Sequence, residues 1–432
     1  MVKPVPALSL VEQPTAARSL PYGMHLIDHE DIAAVEGVLR RDFLARGLID
    51  EADVAVGLAV LRGPLVAQGP MVAEFENAFA AAVDVPHAVA CSSGTSALHM
   101  ALAGLGIGEG DVCIVPAITF LSTATAARLC NAEVVFADVD PVSGLMTADT
   151  LREALARAGG RARGVLPVHL AGRSCAMAEI SAVAREHGLL VVEDACHALG
   201  TRIGDDRVGR SSLSDATAFS FHPVKTIACG EGGMVTTRDP VLADRLRRLR
   251  NHGVTRDAEL MTDRELSFAS DGRPNPWSYE QLDLGFNYRM TEIEGALGRS
   301  QLRKLDRFVE QRAHLARRYD ELLASLSPLV TPVVSPAAQR VSLHLYVVHL
   351  ALDQLGLERA TLVRELAEVG VGSQVHYIPV YRQPYFIRRY GPMRLDGAER
   401  YYGSALALPL FPAMSDADVD RVVLELARAL GR

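Results

Sequence analysis

Ala218-Phe219-Ser220-Phe221-His222-Pro223-Val224-Lys225 is a short apolar run that ends on a lysine, and Gly230-Glu231-Gly232-Gly233 turns the chain shortly afterwards. A brief apolar stretch bounded by Pro and Gly reads as a buried strand rather than a helix. Ala216–Phe221 is therefore expected as one strand and Gly233–Thr237 as the next. The lysine follows the first of them at once. Lysine is rarely buried unless it is paired or functional. A partly desolvated lysine has a lowered pKa and becomes a nucleophile toward an aldehyde. Taken alone, the same residue also reads as a surface lysine in a loop.

Upstream, short apolar runs alternate with helical periodicity. Ala88–Cys91, Val112–Val115, Val134–Phe136, Val165–His169 and Leu189–Val192 are strand-like, and Ser96–Leu105 carries apolar residues at helical spacing. Strands separated by helix-length segments argue for a largely parallel sheet covered on both faces, an α/β domain running to about residue 300. Downstream, 292–326 reads as helical, Val341–Leu352 as a strand, Arg359–Val369 as a helix and Asp416–Leu430 as an amphipathic terminal helix. The expected organisation is a flexible arm over 1–19, a large cofactor-binding domain over 20–304 and a small α+β domain over 305–432.

Two further segments carry chemistry. Ala90-Cys91-Ser92-Ser93-Gly94-Thr95-Ser96 runs from a strand through a polar turn into a helix start, where free N–H groups and the helix dipole offer an anion site. Its plainer reading is a helix N-cap. Gly188-Leu189-Leu190-Val191-Val192-Glu193-Asp194 ends in two acids at the carboxyl end of a strand, where ligands of parallel sheets bind. A carboxylate there can pair with a protonated pyridine nitrogen, though a helix cap or a metal ligand fits the same pattern. Together, a phosphate cradle, an acid and a later lysine are the parts that pyridoxal phosphate requires.

The bulk properties exclude other classes. The chain has 432 residues, 49% hydrophobic, with a formal net charge of -8. The densest basic cluster, Arg245 to Arg250, sits at helical spacing and reads as a solvated face, so no nucleic-acid partner is indicated. Six cysteines form no C-x-x-C pair, so no metal site and no disulfide framework is expected, which suits a cytoplasmic protein. No apolar stretch approaches the roughly 20 residues that span a bilayer, so no membrane partner is expected.

The chain resembles the DegT-like sugar aminotransferases. The resemblance rests on Ser92–His99, Pro116–Phe120, Val192–Gly200, Phe219–Lys225, Gly230–Gly233 and Leu284–Thr291. His197, the His222-Pro223-Val224-Lys225 run and Gln374–Val380 look most like UDP-4-amino-4,6-dideoxy-N-acetyl-β-L-altrosamine transaminases. The fold implied is that of the fold-type I pyridoxal-phosphate transferases. The roles implied are covalent attachment of pyridoxal 5'-phosphate and proton transfer for Lys225, and pairing with the pyridine nitrogen for Asp194. His197 would face the phenolic oxygen and Phe120 would stack on the ring. Gly94, Thr95, Ser96 and Ser220 would form the phosphate cradle. Asn287 would reach the phosphate of a neighbouring subunit's cofactor, which makes a homodimer with shared sites the expected assembly. Tyr22, Gly63, Pro64, Leu65, Val66, Ser93, His344, Tyr346 and His376 match positions that meet the substrate. The expected reaction moves an amino group from L-glutamate to a keto-sugar nucleotide.

Two alternatives on the same fold are a sugar dehydratase and a non-catalytic regulator. In the dehydratases a histidine replaces the lysine, and Lys225 argues against both. One departure from the family is internal: Val38–Gly47 and Val60–Gly69 match at five of ten positions with an offset of 22. About 22 extra residues, 38–59, therefore precede the segment expected to meet the substrate.

Overall fold

The computed structural model describes residues 70–432 together with Glu30. The arm over 1–19, the extra segment over 38–59, Tyr22 and Gly63 to Val66 lie outside the described residues.

Seven strands form the main sheet: β1 (His87–Cys91), β2 (Val112–Pro116), β3 (Glu133–Ala137), β4 (Ala162–Val165), β5 (Leu190–Asp194), β6 (Ala216–Ser220) and β7 (Gly233–Thr237). Their order is β1-β7-β6-β5-β4-β2-β3. From β6 to β3 every neighbour is parallel, while β7 runs antiparallel to both β1 and β6. The expected largely parallel sheet is thus a mixed one with a single reversed strand. The twelve residues between β6 and β7 form no helix that could cross the sheet, and the Gly230–Gly233 turn returns the chain alongside β6 in the opposite direction.

Alternate residues of these strands enter two different cores. Ala88, Ala90, Phe219 and Met234 pack with Val72, Phe75 and Phe79 of α1 (Pro70–Val83). Val89, Cys91, Ala218 and Val235 pack with Ala97, Leu98, Ala101 and Leu102 of α2 (Gly94–Gly104). Strand side chains alternate between faces, so each face of the sheet is covered by helices. The second core also takes in α3 (Leu121–Leu129), α4 (Ala148–Ala158), α5 (Met177–Glu186) and α6 (Pro240–Leu249).

A third core surrounds a three-stranded antiparallel sheet, β8 (Val330–Pro332), β9 (Tyr346–Leu350) and β10 (Ala405–Leu408), with β9 central. α7 (Glu292–Leu302) leads into α8 (Leu305–Leu323). α8 buries Leu305, Phe308 and Val309 against the α1 side of the large sheet, and Leu315, Tyr319 and Leu323 in the third core. α9 (Arg359–Glu368) and α10 (Asp416–Ala429) complete that core. Val380, Tyr381, Phe386 and Tyr401 return to the large core, which carries residues 374–380 across the carboxyl ends of the large sheet's strands.

Two strands differ from expectation. Val165–His169 is not one strand: β4 spans Ala162–Val165, and Pro167, with no N–H to give, breaks the ladder before a bridge at Val168 and a turn at Leu170–Gly172. Within Val341–Leu352 only Tyr346–Leu350 is strand. Residues before it bond elsewhere, Ser342 N–H to Thr201 Oγ1 at 2.9 Å and His344 N–H to the Ala171 carbonyl at 3.1 Å.

Candidate active site

A cavity of about 340 Å³ opens where β1, β5 and β6 end. Ser93, Gly94 and Thr95 form its floor at the start of α2. Asp194, Cys196 and His197 follow β5, and Ser220 and Lys225 follow β6. Phe120 and His376 bound the mouth and the far side. Nine residues singled out from sequence therefore face one space, although they come from five separate stretches of chain.

Each end of the cavity has a distinct chemistry. At the α2 end, Thr95 Oγ1 lies 2.8 Å from Ser122 Oγ. A side chain at Gly94 would place its Cβ 2.7 Å from Ser220 Cβ, so only glycine lets the two segments meet here. Ser93 caps α2 by accepting from the Ser96 N–H at 3.1 Å. The Ser96 hydroxyl turns inward, 2.7 Å from Ser93 Oγ and 2.9 Å from Ser92 Oγ. The helix-cap reading thus holds for Ser93 and Ser96, and Ser96 does not line the cavity.

The β5 end is acidic. Asp194 is buried, and its carboxylate accepts from Thr123 Oγ1 at 2.8 Å and from the Cys196 N–H at 3.2 Å. Both partners donate, which orients an acceptor-only carboxylate. Glu193, one residue earlier, points to the other face. Its carboxylate accepts from His169 Nε2 at 2.7 Å and from Ser214 and Thr217. Burial pushes its pKa up, but those hydrogen bonds and the charge of the pair more than offset this and hold it below the usual glutamate range. Of the two acids at the end of the strand, only Asp194 serves the cavity.

Lys225 opens on the cavity, yet desolvation lowers its pKa below the ordinary lysine value, with Cys196 and Asp194 pulling the other way. Three imidazoles lie close by. His197 and His344 are held well below the usual histidine range by burial, and His376 is pushed down to about 3 for the same reason, with Lys225 adding to each. All three are neutral at ordinary pH.

Residues 48–427 match the DegT/DnrJ/EryC1/StrS aminotransferase family. The chain belongs to that family. It is 38% identical over 407 residues to the spore coat polysaccharide biosynthesis protein SpsC of Bacillus subtilis, covering 94% of this chain and 95% of that protein. Among solved structures it is similar to Helicobacter pylori PseC, an aminotransferase involved in the biosynthesis of pseudoaminic acid, with a TM-score of 0.80 and 25% identity over 96% of this chain and 100% of that one. It is also similar to DesV of S. venezuelae, with a TM-score of 0.76 and 31% identity over 96% and 99% of the two chains. The protein is a sugar aminotransferase, and pyridoxal phosphate is its cofactor.

The residues present fit that group. The α2 N-terminus, Thr95 and Ser220 offer N–H and hydroxyl donors to a phosphate, and Gly94 leaves the backbone bare for its approach. Asp194 is placed as an anion to meet a ring nitrogen, and Lys225 as a desolvated amine to meet an aldehyde. Phe120, 55% exposed at the mouth, has its face free to cover a ring.

Besides Ser96, three residues expected at the site do not line it. Tyr346 is buried on β9, where it donates to Asp320 Oδ1 at 2.6 Å and stacks on Tyr319 with centroids 4.5 Å apart. Its side chain belongs to the third core. His344 sits one layer back, its ring 4.4 Å from that of His197. Asn287 is exposed on the segment bridged to Asn251 and lies outside this chain's own cavity. Conversely, sequence reasoning missed Thr123, Ser122 and Tyr377. Thr123 had a signal, since it lies on the first turn after the Pro116–Phe120 motif. Tyr377 lay inside a quoted motif but had no spacing to mark it.

No helix among the described residues is long and apolar enough to cross a membrane.

Proposed function

We propose that this enzyme transfers the amino group of L-glutamate to a keto-sugar nucleotide of the 4-keto-6-deoxyhexose type, for amino-sugar biosynthesis. The observation that carries the reading is the desolvated Lys225 facing the same cavity as Asp194 and Thr95. When bound, pyridoxal phosphate supplies the electron sink that lets an amino group leave one carbon and join another. The chain's own residues do the rest. Asp194, fixed by Thr123 and the Cys196 N–H, holds a proton on the ring nitrogen. The α2 N-terminus and Ser220 anchor the phosphate. Lys225 Nζ would hold the group covalently and, as a neutral amine, would accept and return the proton that transamination moves. Its lowered pKa leaves more of it in the neutral form that can accept one.

Retention of a lysine, where the dehydratases carry histidine, favours transamination over dehydration. The relatives named for spore coat polysaccharide and pseudoaminic acid support a sugar destined for a surface polymer. The nucleotide half is supported by resemblance at Tyr22, Gly63, Pro64, Leu65 and Val66, and the shared site by Asn287 on its exposed segment. We read the working unit as a homodimer in which Asn287 reaches the neighbouring cofactor. The extra residues 38–59 are read as an insertion whose deletion leaves the fold intact.

The test is a panel of keto-sugar nucleotides assayed with L-glutamate. The expected result is conversion of the bound cofactor to its amine form by glutamate and its return by one class of keto-sugar. Conversion by another amino acid alone would reject the donor, and return only by free keto-sugars would reject the nucleotide. Mixing the Lys225→Ala and Asn287→Ala variants is expected to restore activity through mixed dimers. A fully active monomer by light scattering would reject the shared site.

A further inference from the structure

The hydroxyls that face the α2 end of the cavity are not all the ones that the sequence marks. Ser96 is buried and engaged, its Oγ 2.9 Å from Ser92 Oγ and 2.7 Å from Ser93 Oγ. Ser122, the second residue of α3, lines the cavity instead, together with Thr95 and Ser220. Its Oγ stands 2.8 Å from Thr95 Oγ1. Across the start of α2, the bare Gly94 lets Ser220 close in, since a Cβ there would fall 3.1 Å from Ser220 Oγ. The first two residues of α2 are thus flanked by one hydroxyl from α3 and another from the end of β6.

The first turn of α3 explains why Ser122 points this way. The helix starts from Phe120, whose backbone is extended, and each later residue is rotated by about 100° around the axis. Phe120 stays at the mouth, and Leu121 turns outward. Thr123 turns into the protein, where it is buried and donates to Asp194 Oδ2 at 2.8 Å. Ser122 lies between these two directions and meets α2. One helical turn therefore supplies a side chain at the mouth, one at the acid and one at the α2 end.

Thr95 and Ser122 are both half-buried and uncharged. Two hydroxyl oxygens 2.8 Å apart can both reach a single phosphate group. An anionic oxygen is a stronger acceptor than a neutral hydroxyl, so a phosphate draws both hydrogens to itself. Among the described residues no arginine lines this cavity, which leaves the phosphate charge to hydroxyls and backbone N–H groups and gives each of them weight. We propose that Ser122 is a cofactor-binding residue, its hydroxyl completing a phosphate cradle with those of Thr95 and Ser220. The resemblance to the family gives a place in that cradle to Ser96, and the structure brings up a serine from a different helix. The assignment rests on pyridoxal phosphate lying with its phosphate at the α2 end, and on neither the amino donor nor the acceptor.

The test compares two ligands of the apoenzyme, pyridoxal 5'-phosphate and pyridoxal, which lacks the phosphate. Titration of the ligand absorbance gives both dissociation constants without any substrate. Ser122→Ala is expected to weaken binding of pyridoxal 5'-phosphate about tenfold, the scale of one hydrogen bond to a charged group, and to leave pyridoxal unchanged. Ser122→Asp sets a carboxylate in the first turn of α3, where it suits the helix dipole and so keeps the fold, but beside the phosphate. Repulsion between the two anions is expected to weaken pyridoxal 5'-phosphate further than alanine does, again sparing pyridoxal. If Ser122→Ala does not fold, the aspartate variant decides alone. Equal weakening of the two ligands would place the effect of Ser122 on the ring, through Phe120 or Thr123, and overturn the proposal. Unchanged affinity for pyridoxal 5'-phosphate in either folded variant overturns it as well.

Discussion

The two walls of the cavity are built in different ways. The near wall comes from short motifs at the ends of β1, β5 and β6, where a strand delivers its functional residue within a few positions of its last hydrogen bond. The far wall, His376 and Tyr377, comes from a segment about 150 residues beyond Lys225 in sequence and is held by the Ala171–Gly172 turn through His197. The near wall is fixed by the sheet. The far wall is anchored at its two ends, by Gln374 paired with Ala407 and by the Val380 N–H on the Ala117 carbonyl, and between them it leans on His197 and the strained turn.

Removing the amine breaks the near wall most completely. Lys225→Ala is expected to abolish transamination, since acid–base catalysis alone contributes about 10²–10⁴-fold and the covalent link is lost as well. Single-turnover rates with glutamate measure this. Near-normal turnover would mean that a different group carries the proton.

The far wall breaks at its turn. Gly172→Ala adds a Cβ 2.0 Å from a backbone oxygen at a φ of 98°, and backbone cannot step aside cheaply. A loss of about 2–4 kcal/mol of unfolding free energy is expected from overpacking and left-handed strain together. Denaturant titration reads it directly. An unchanged midpoint would show that the turn relaxes, and His197 would then not be rigidly held.

How much of this was legible follows the same division. The strands bearing Ser93, Asp194 and Lys225 are short apolar runs with turn residues at their ends, so their ladders and their functional termini could be read locally. Val165–His169 could not, because a proline inside an apolar run stops a ladder without stopping the hydrophobic pattern. Tyr346 was assigned to the substrate by resemblance, which matches a position without saying which core its side chain enters. Tyr377 was passed over because its place in the cavity wall depends on a contact with His197, 180 residues earlier in the chain. Nothing in the local sequence carries that relation.

Asp194→Asn sharpens the comparison on the near wall. The amide keeps the shape and loses the charge, so cofactor should still bind while the half-reaction with glutamate slows by about 10–100-fold, the scale of a hydrogen bond to a charged group. An unaltered rate would mean that Asp194 does not govern the protonation of the ring nitrogen.

The smallest expected effect separates the walls by their response to acid. His376 has a folded pKa of about 3 against an ordinary value of 6.5, because burial disfavours its charged form. Above pH 6.5 the ring is neutral in both folded and unfolded chains, and it contributes nothing to the pH dependence. Between 6.5 and about 3 the unfolded chain takes up a proton that the folded chain refuses. Stability therefore falls with falling pH by about 1.4 kcal/mol per pH unit for such a group. His197 and His344 shift in the same direction and share the start of this window. His376→Gln removes one of the three refused protons. Its stability curve should descend less steeply than that of the parent between about pH 5.5 and 4.5, by up to that amount. Any constant cost of the substitution drops out, because only the slope is compared. Equal slopes would mean that the folded protein admits the proton at His376, and the far wall would then be as open to charge as the near one.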